Sequence, residues 1–206
     1  MNKVKSIEKQ TKNRFLNMYD YNAVDRKGKE CHYYVASRAE KIEDLKLSKS
    51  EIKSDAVIIY GIYNDNGVEK MVLVRQFRYS IDNYVYELPA GLIDGDETIY
   101  EAGKREFKEE TGLNFEPIET SNIFSRPFFT SVGLCDECCT TVYGRATGTV
   151  SLDGLEDEED LEVILADRAM VREILENEII AMPVGYSMLY FLASENGHAL
   201  DFVEAK

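Results

Sequence analysis

Gly91–Leu113 reads GLIDGDETIYEAGKREFKEETGL and is the most informative stretch of the chain. Its second half predicts a helix over Glu97–Thr111, closed by Gly112 where a helix favours a glycine C-cap. Glu106, Glu109 and Glu110 fall at i, i+3 and i+4, so three carboxylates share one helical face. Like charges so placed weaken an isolated helix by a few tenths of a kcal/mol per pair. Hard divalent cations are the usual reason to keep them together. Ile99, Ala102 and Phe107 supply apolar side chains for packing elsewhere on the helix. The preceding Gly91–Asp96 carries two glycines and reads as a loop able to fold closely around a ligand or the helix start.

The complete spacing is more specific than the charge run. Gly91, five residues, Glu97, seven residues, Arg105-Glu106-Phe107, one residue, Glu109-Glu110, one residue and Gly112-Leu113 follow one another in order. A chance match to so many fixed positions is on the order of one in a million at ordinary residue usage. The pattern resembles the Nudix box. That resemblance implies an α/β/α sandwich with a mixed sheet, joined here to a small N-terminal antiparallel sheet. It also implies Mg²⁺-dependent hydrolysis of a nucleoside diphosphate linked to another group, with Mn²⁺ as a substitute. Carried over position by position, Glu106 and Glu110 are implied metal ligands, and Glu109 a further ligand or water-positioning group. Ala90 matches the residue whose carbonyl also binds metal. Glu97 and Arg105 match an ion pair that braces the helix, and Gly91 and Gly112 shape its ends.

The flanks narrow the resemblance. Val74–Tyr79 (VRQFRY) followed by Glu87–Asp94 (ELPAGLID) is similar to the ADP-ribose pyrophosphatase branch, with Arg75 where an acidic residue is usual. Arg78 matches the branch's substrate-contacting arginine. Phe129–Glu137 (FTSVGLCDE) resembles a further branch loop that includes Ser131, with Val132 where proline is expected. Asp153–Glu162 (DGLEDEEDLE) holds seven acids in ten residues. Such a run is either a solvated surface or, as the resemblance implies, a loop delivering a catalytic glutamate to the metals. Glu158 and Glu159 are the candidates, with Glu156 also eligible. The branch reading gives AMP and ribose 5-phosphate from ADP-ribose. Another nucleoside diphosphate sugar, GDP-mannose or UDP-glucose, shares much of the local pattern.

Elsewhere the chain reads as strands and helices without βαβ repeats. Arg14–Tyr21 and Cys31–Arg38 flank a polar turn at Asp25–Gly28 and form a hairpin, while the Lys/Glu/Ser-rich Ala39–Ser54 marks a boundary. The expected organisation is a β appendage over 1–53 and a main domain over 54–206. The branch commonly pairs two copies through such an appendage, so a homodimer is expected. Tyr19, Tyr21, Tyr33 and Tyr34 then serve either as purine-stacking groups or as core and interface packing. Arg38 is a candidate for reaching a partner's pyrophosphate. Strands are expected at Ala56–Tyr63, Lys70–Phe77, Tyr84–Leu88, Cys138–Gly148 and Leu161–Leu165, and helices near Arg168–Glu178 and Gly185–Glu195.

Length and charge bound the partners. The 206 residues make roughly 1.4 ordinary domain lengths. With 44% hydrophobic residues the chain has ample material for a core. Twenty-four basic against 38 acidic side chains leave −14, which disfavours bulk nucleic acid and anionic membrane surfaces as partners. No apolar run approaches the roughly 20 residues of a membrane span, and no apolar leader opens the chain, so a cytoplasmic address is expected. Cys135, Cys138 and Cys139 invite a zinc reading, but Cys31 and His32 are far off in sequence, and reduced thiols are the expectation.

Overall fold

The computed structural model describes residues 3–155 and 159–204. Their contacts form two compact units: the chain up to Asp55 with Pro127–Cys139, and Ala56–Arg126 with Thr140 onward.

The first unit is built on an antiparallel sheet, β1 (Val4–Lys9), β2 (Asn17–Val24) and β3 (Glu30–Ser37), in that order. Asp25 closes the β2–β3 turn by accepting from the Lys27 and Lys29 amides at 2.7 and 3.0 Å. Burial along β2 alternates with the strand period, so Tyr19 and Tyr21 point into a core shared with Val35 and Leu45. Packing, the second of the two readings, therefore accounts for Tyr19 and Tyr21. Tyr33 and Tyr34 are exposed instead. β1 has no expectation from the sequence, because its lysines mask the alternation. Within the same unit Phe128–Phe129 pairs antiparallel with Cys138–Cys139, and Ala36 bridges to Cys135.

The second unit carries β4 (Ala56–Asp65), β5 (Val68–Arg78), β6 (Asn83–Glu87), β7 (Ala90–Leu92), α1 (Ile99–Thr111), β8 (Asn114–Pro117), β9 (Cys138–Thr147, from Thr140), β10 (Leu161–Ala166), α2 (Arg168–Asn177) and α3 (Met182–Ala193). The sheet order is β10-β5-β4-β9-β8, with β6 also on β5 and β7 also on β4. Period-2 alternation sends the strands' side chains to two separate cores. Val57, Ile59 and Val72 pack with Ala102 and Phe107 of α1. Tyr60, Ile62, Met71 and Leu73 pack with Val171 and Ile174 of α2 and with Val184, Met188 and Phe191 of α3. Helices thus cover both faces of the sheet, and the α/β/α sandwich follows.

Strand bounds shift by up to three residues, as at β2 (Asn17–Val24 against Arg14–Tyr21), and three further departures have local reasons. Thr98 caps α1 in a capping box, its Oγ1 accepting from Glu101 N at 3.2 Å while Glu101 Oε2 accepts from Thr98 N at 2.8 Å. The helix therefore starts at Ile99, and Glu97 stands outside it. Ala90–Leu92 is a short strand on Ile58–Ala56, where a loop was expected. Pro183 opens α3 in its first turn, so that helix begins at Met182, ahead of the expected Gly185.

Candidate active site

Helix α1 presents Glu106 and Glu109 to a cleft of about 400 Å³ lined also by Ala90, Gly91, Leu92, Asp94, Arg105, Gly154 and Glu159. Arg105 organises the wall. It holds Glu97 through Nε–Oε1 at 2.9 Å and Nη2–Oε2 at 2.8 Å, and reaches Leu92 O at 3.0 Å. Its Nη1 also donates to Glu106 Oε1 at 2.7 Å and to Glu109 Oε2 at 3.2 Å. The bidentate contact with Arg105 holds the Glu97 carboxyl down at about 2, against an ordinary 4.5.

Two close approaches shape the ends of the box. A Cβ on Gly91 would overlap the Glu106 carboxylate, so only glycine lets that carboxylate lie against β7. Gly112 takes the left-handed conformation at φ 70° and caps α1 by donating to Lys108 O at 2.9 Å.

The three glutamates occupy distinct environments. Glu110 is buried, at 4% exposure, behind the cleft wall, and its Oε2 accepts from Ala90 N at 3.2 Å. Burial pushes its carboxyl up to about 8, an effect that the Ala90 amide opposes and the charge of Glu159 reinforces. Among the described residues no cation lies within ion-pairing distance of Glu110. Glu106 is partly buried and also raised, by burial first, with Arg105 opposing. Glu109 is half exposed.

The donor chemistry suits a hard divalent cation. Glu106, Glu109, Glu110 and the Ala90 backbone offer oxygen alone, and a buried carboxylate lacking a counter-charge is an energetic cost that a cation relieves. Arg105 draws Glu106 and Glu109 to itself, and among the described residues no three acidic, His or Cys side chains converge into a ready-made cage.

The remaining sequence candidates fall in different places. Arg78 ends β5 outside the cleft wall, its guanidinium held on Glu87 Oε2 at 2.6–2.7 Å, and its charge lowers the proton affinity of Glu110. Arg38 and Ser131 belong to the first unit. There Arg38 pairs with Glu137 at 3.0 Å, and Ser131 O accepts from Leu134 N at 2.8 Å. Glu159 is on the cleft wall, whereas Glu158 and Glu156 lie outside the described residues. Asp94 and Gly154 were missed. Asp94 lines the cleft 3.7 Å from Arg105, and its place inside the box offered a signal. Gly154 packs on the Glu109 backbone, a long-range contact that local spacing does not reveal.

A two-faced helical sandwich with a carboxylate-lined cleft at one helix is the class of protein defined here. The chain matches the NUDIX domain family over residues 52–177 and belongs to that family. It is 36% identical over 101 residues to an ADP-ribose pyrophosphatase of Saccharomyces cerevisiae, covering 48% of this chain and 44% of that protein. It is 29% identical over 165 residues to an ADP-ribose pyrophosphatase of Bacillus subtilis, covering 75% of this chain and 84% of that one. The chain spans about half the length of several curated relatives that it matches. Among solved structures, one described as "Crystal structure of ADP compounds hydrolase" superposes with a TM-score of 0.66 at 17% identity, covering 93% of this chain and 92% of that one, which shows a shared fold. No helix among the described residues is long and apolar enough to cross a membrane.

Proposed function

We propose that the chain hydrolyses the pyrophosphate bond of ADP-ribose, adding water to give AMP and ribose 5-phosphate. The observation that carries this reading is Glu110, a buried carboxylate with no cation in ion-pairing distance among the described residues, backing Glu106 and Glu109 at the cleft. Bound Mg²⁺, or Mn²⁺ in its place, supplies neutralisation of the pyrophosphate charge and polarisation of the attacking water. Glu106, Glu109, Glu110 and the Ala90 carbonyl would hold it. Arg105 keeps Glu106 and Glu109 oriented through its bonds to both, while Glu97 fixes Arg105 in turn. Glu159, which lines the same cleft, would accept a proton from the attacking water. Arg78 supplies positive charge near an anionic substrate.

Two further expectations join this reading. The exposed Tyr33 and Tyr34 on β3 support pairing of two copies through the N-terminal unit. The names of the yeast and Bacillus relatives support ADP-ribose over other nucleotide sugars. The test is a panel of ADP-ribose, GDP-mannose and UDP-glucose with Mg²⁺ or Mn²⁺, reading mononucleotide release. ADP-ribose should be among the best substrates, and its absence from that group sinks the assignment.

A further inference from the structure

The far end of β5 carries an aromatic cluster that the site above does not use. Phe77 meets Tyr79 and Tyr84 edge-on, with ring centres 5.1 and 5.4 Å apart. The Arg75 guanidinium lies 4.4 Å over the Tyr84 ring, and Tyr84 stands opposite Phe77 in the β5–β6 ladder. The ring is therefore located by packing, whatever its hydroxyl does.

That hydroxyl makes one long-range bond, donating to Asp160 Oδ2 at 2.8 Å. The backbone of the same aspartate is held as well, Phe77 N donating to Asp160 O at 2.9 Å. Asp160 leads straight into β10, whose first residue, Leu161, pairs with Gln76. Residue 160 is thus gripped twice, through its carbonyl by β5 and through its side chain by β6. Glu159 comes immediately before it and lines the cleft with Glu106 and Glu109. The ladder ends here, so a backbone bond alone leaves the final peptide more rotational freedom than one within the ladder. A charge-assisted bond from a packed phenol removes that freedom one residue from a carboxylate whose placement matters to a fraction of an ångström.

Resting on the pyrophosphatase reading, we infer that Tyr84 is a positioning residue: its hydrogen bond to Asp160 fixes where Glu159 enters the cleft. The ring provides the packing and the hydroxyl provides the latch. Tyr84→Phe separates the two, since phenylalanine keeps the contacts with Phe77 and Arg75 and loses only the bond to Asp160.

The test combines kinetics with hydrogen exchange of the metal-free full chain. Tyr84→Phe should lower kcat about tenfold while KM changes by less than about twofold. Exchange over Glu159–Leu161 should accelerate, with Ile99–Thr111 unchanged. Asp160→Ala should match it, and combining the two should cost no more than either alone. Asp160→Asn retains an acceptor for the phenol and should stay within about twofold of wild-type kcat. Unchanged kcat and exchange in Tyr84→Phe overturns the inference. So does Asp160→Asn behaving like Asp160→Ala, or faster exchange spread across α1. A wild-type protein inactive on every nucleotide compound overturns the pyrophosphatase reading instead, and the exchange comparison then judges the latch by itself.

Discussion

Arg105 receives Glu97 edge-on, through two hydrogen bonds of 2.9 and 2.8 Å, across the turn that starts α1. Glu97 is not part of the helix. It lies just before the cap residue Thr98 and reaches over the first two turns to hold the arginine whose other edge carries Glu106 and Glu109.

The pH dependence of this pair has a definite sign. Glu97 titrates near 2 when folded and near 4.5 when unfolded, so its stabilising contribution is complete above about pH 4.5 and is lost as pH falls towards 2. Glu97→Gln should melt below the wild type at pH 7. The gap in Tm should close between pH 4.5 and 2, and a constant gap would show that Glu97 is not ionically held.

Glu110 has the opposite sign. Its folded value near 8 lies above the ordinary 4.5, so the metal-free native state binds the extra proton and this contribution weakens as pH rises through 4.5–8. Glu110→Gln should stabilise the metal-free protein above pH 8, an advantage that shrinks as pH falls through 8–4.5 and vanishes below pH 4.5. The same variant should lose at least about 100-fold in kcat with Mg²⁺ present. Urea unfolding in a chelator, beside the standard assay, measures both.

Glu106→Gln is isosteric, and its fold should survive with the Arg105–Glu97 contact in place. Turnover should drop by about 100-fold or more. Near-wild-type activity would sink the assignment of Glu106 to the metal.

At Gly91 activity and stability should separate. An added methyl displaces the end of the flexible Glu106 side chain and leaves the backbone where it is. Gly91→Ala should therefore cost only about 1 kcal/mol, yet reduce kcat by more than about tenfold. Parallel thermal melts and rate measurements decide this.

Arg168 ties the start of α2 to the C-terminal end of α3. It pairs with buried Glu69 at 3.3 Å, donates to Ser194 O and Glu195 O, and lies 4.3 Å over the Phe191 ring. Arg168→Ala leaves Glu69 buried without its cation and should cost about 3 kcal/mol. A Tm within a degree or two of wild type would contradict that role.

The helix and its glutamates were legible because the residues of the box lie within one short stretch, where period and spacing carry everything. Periodicity also marked β4 and β5 as strands, and the Asn66–Gly67 turn between them, a strong local signal, joins them as a hairpin. What stayed hidden depends on distant partners. β7 is only three residues long and exists because Ile58 pairs with Ala90. The return of 127–139 to the first unit rests on contacts such as Tyr33 Oη with Gly133 O, 100 residues apart. The unequal burial of Glu106, Glu109 and Glu110 follows from what packs over α1, and identical side chains at i, i+3 and i+4 cannot announce it.

β5 serves as a ruler for the site. One edge carries β4 at Val68–Met71 and then β6 at Val74–Arg78, and the other carries β10 at Met71–Gln76. Arg78, Tyr84 and Asp160 are therefore all placed by counting along a single strand. Adding or deleting one residue within Val74–Arg78 would turn every later side chain to the opposite face and carry the acidic segment out of step with the cleft. The exposed turn at Tyr79–Asp82 lies beyond the ruled part and can change length freely. Variation among working versions of this chain should collect in that turn and be missing from the strand.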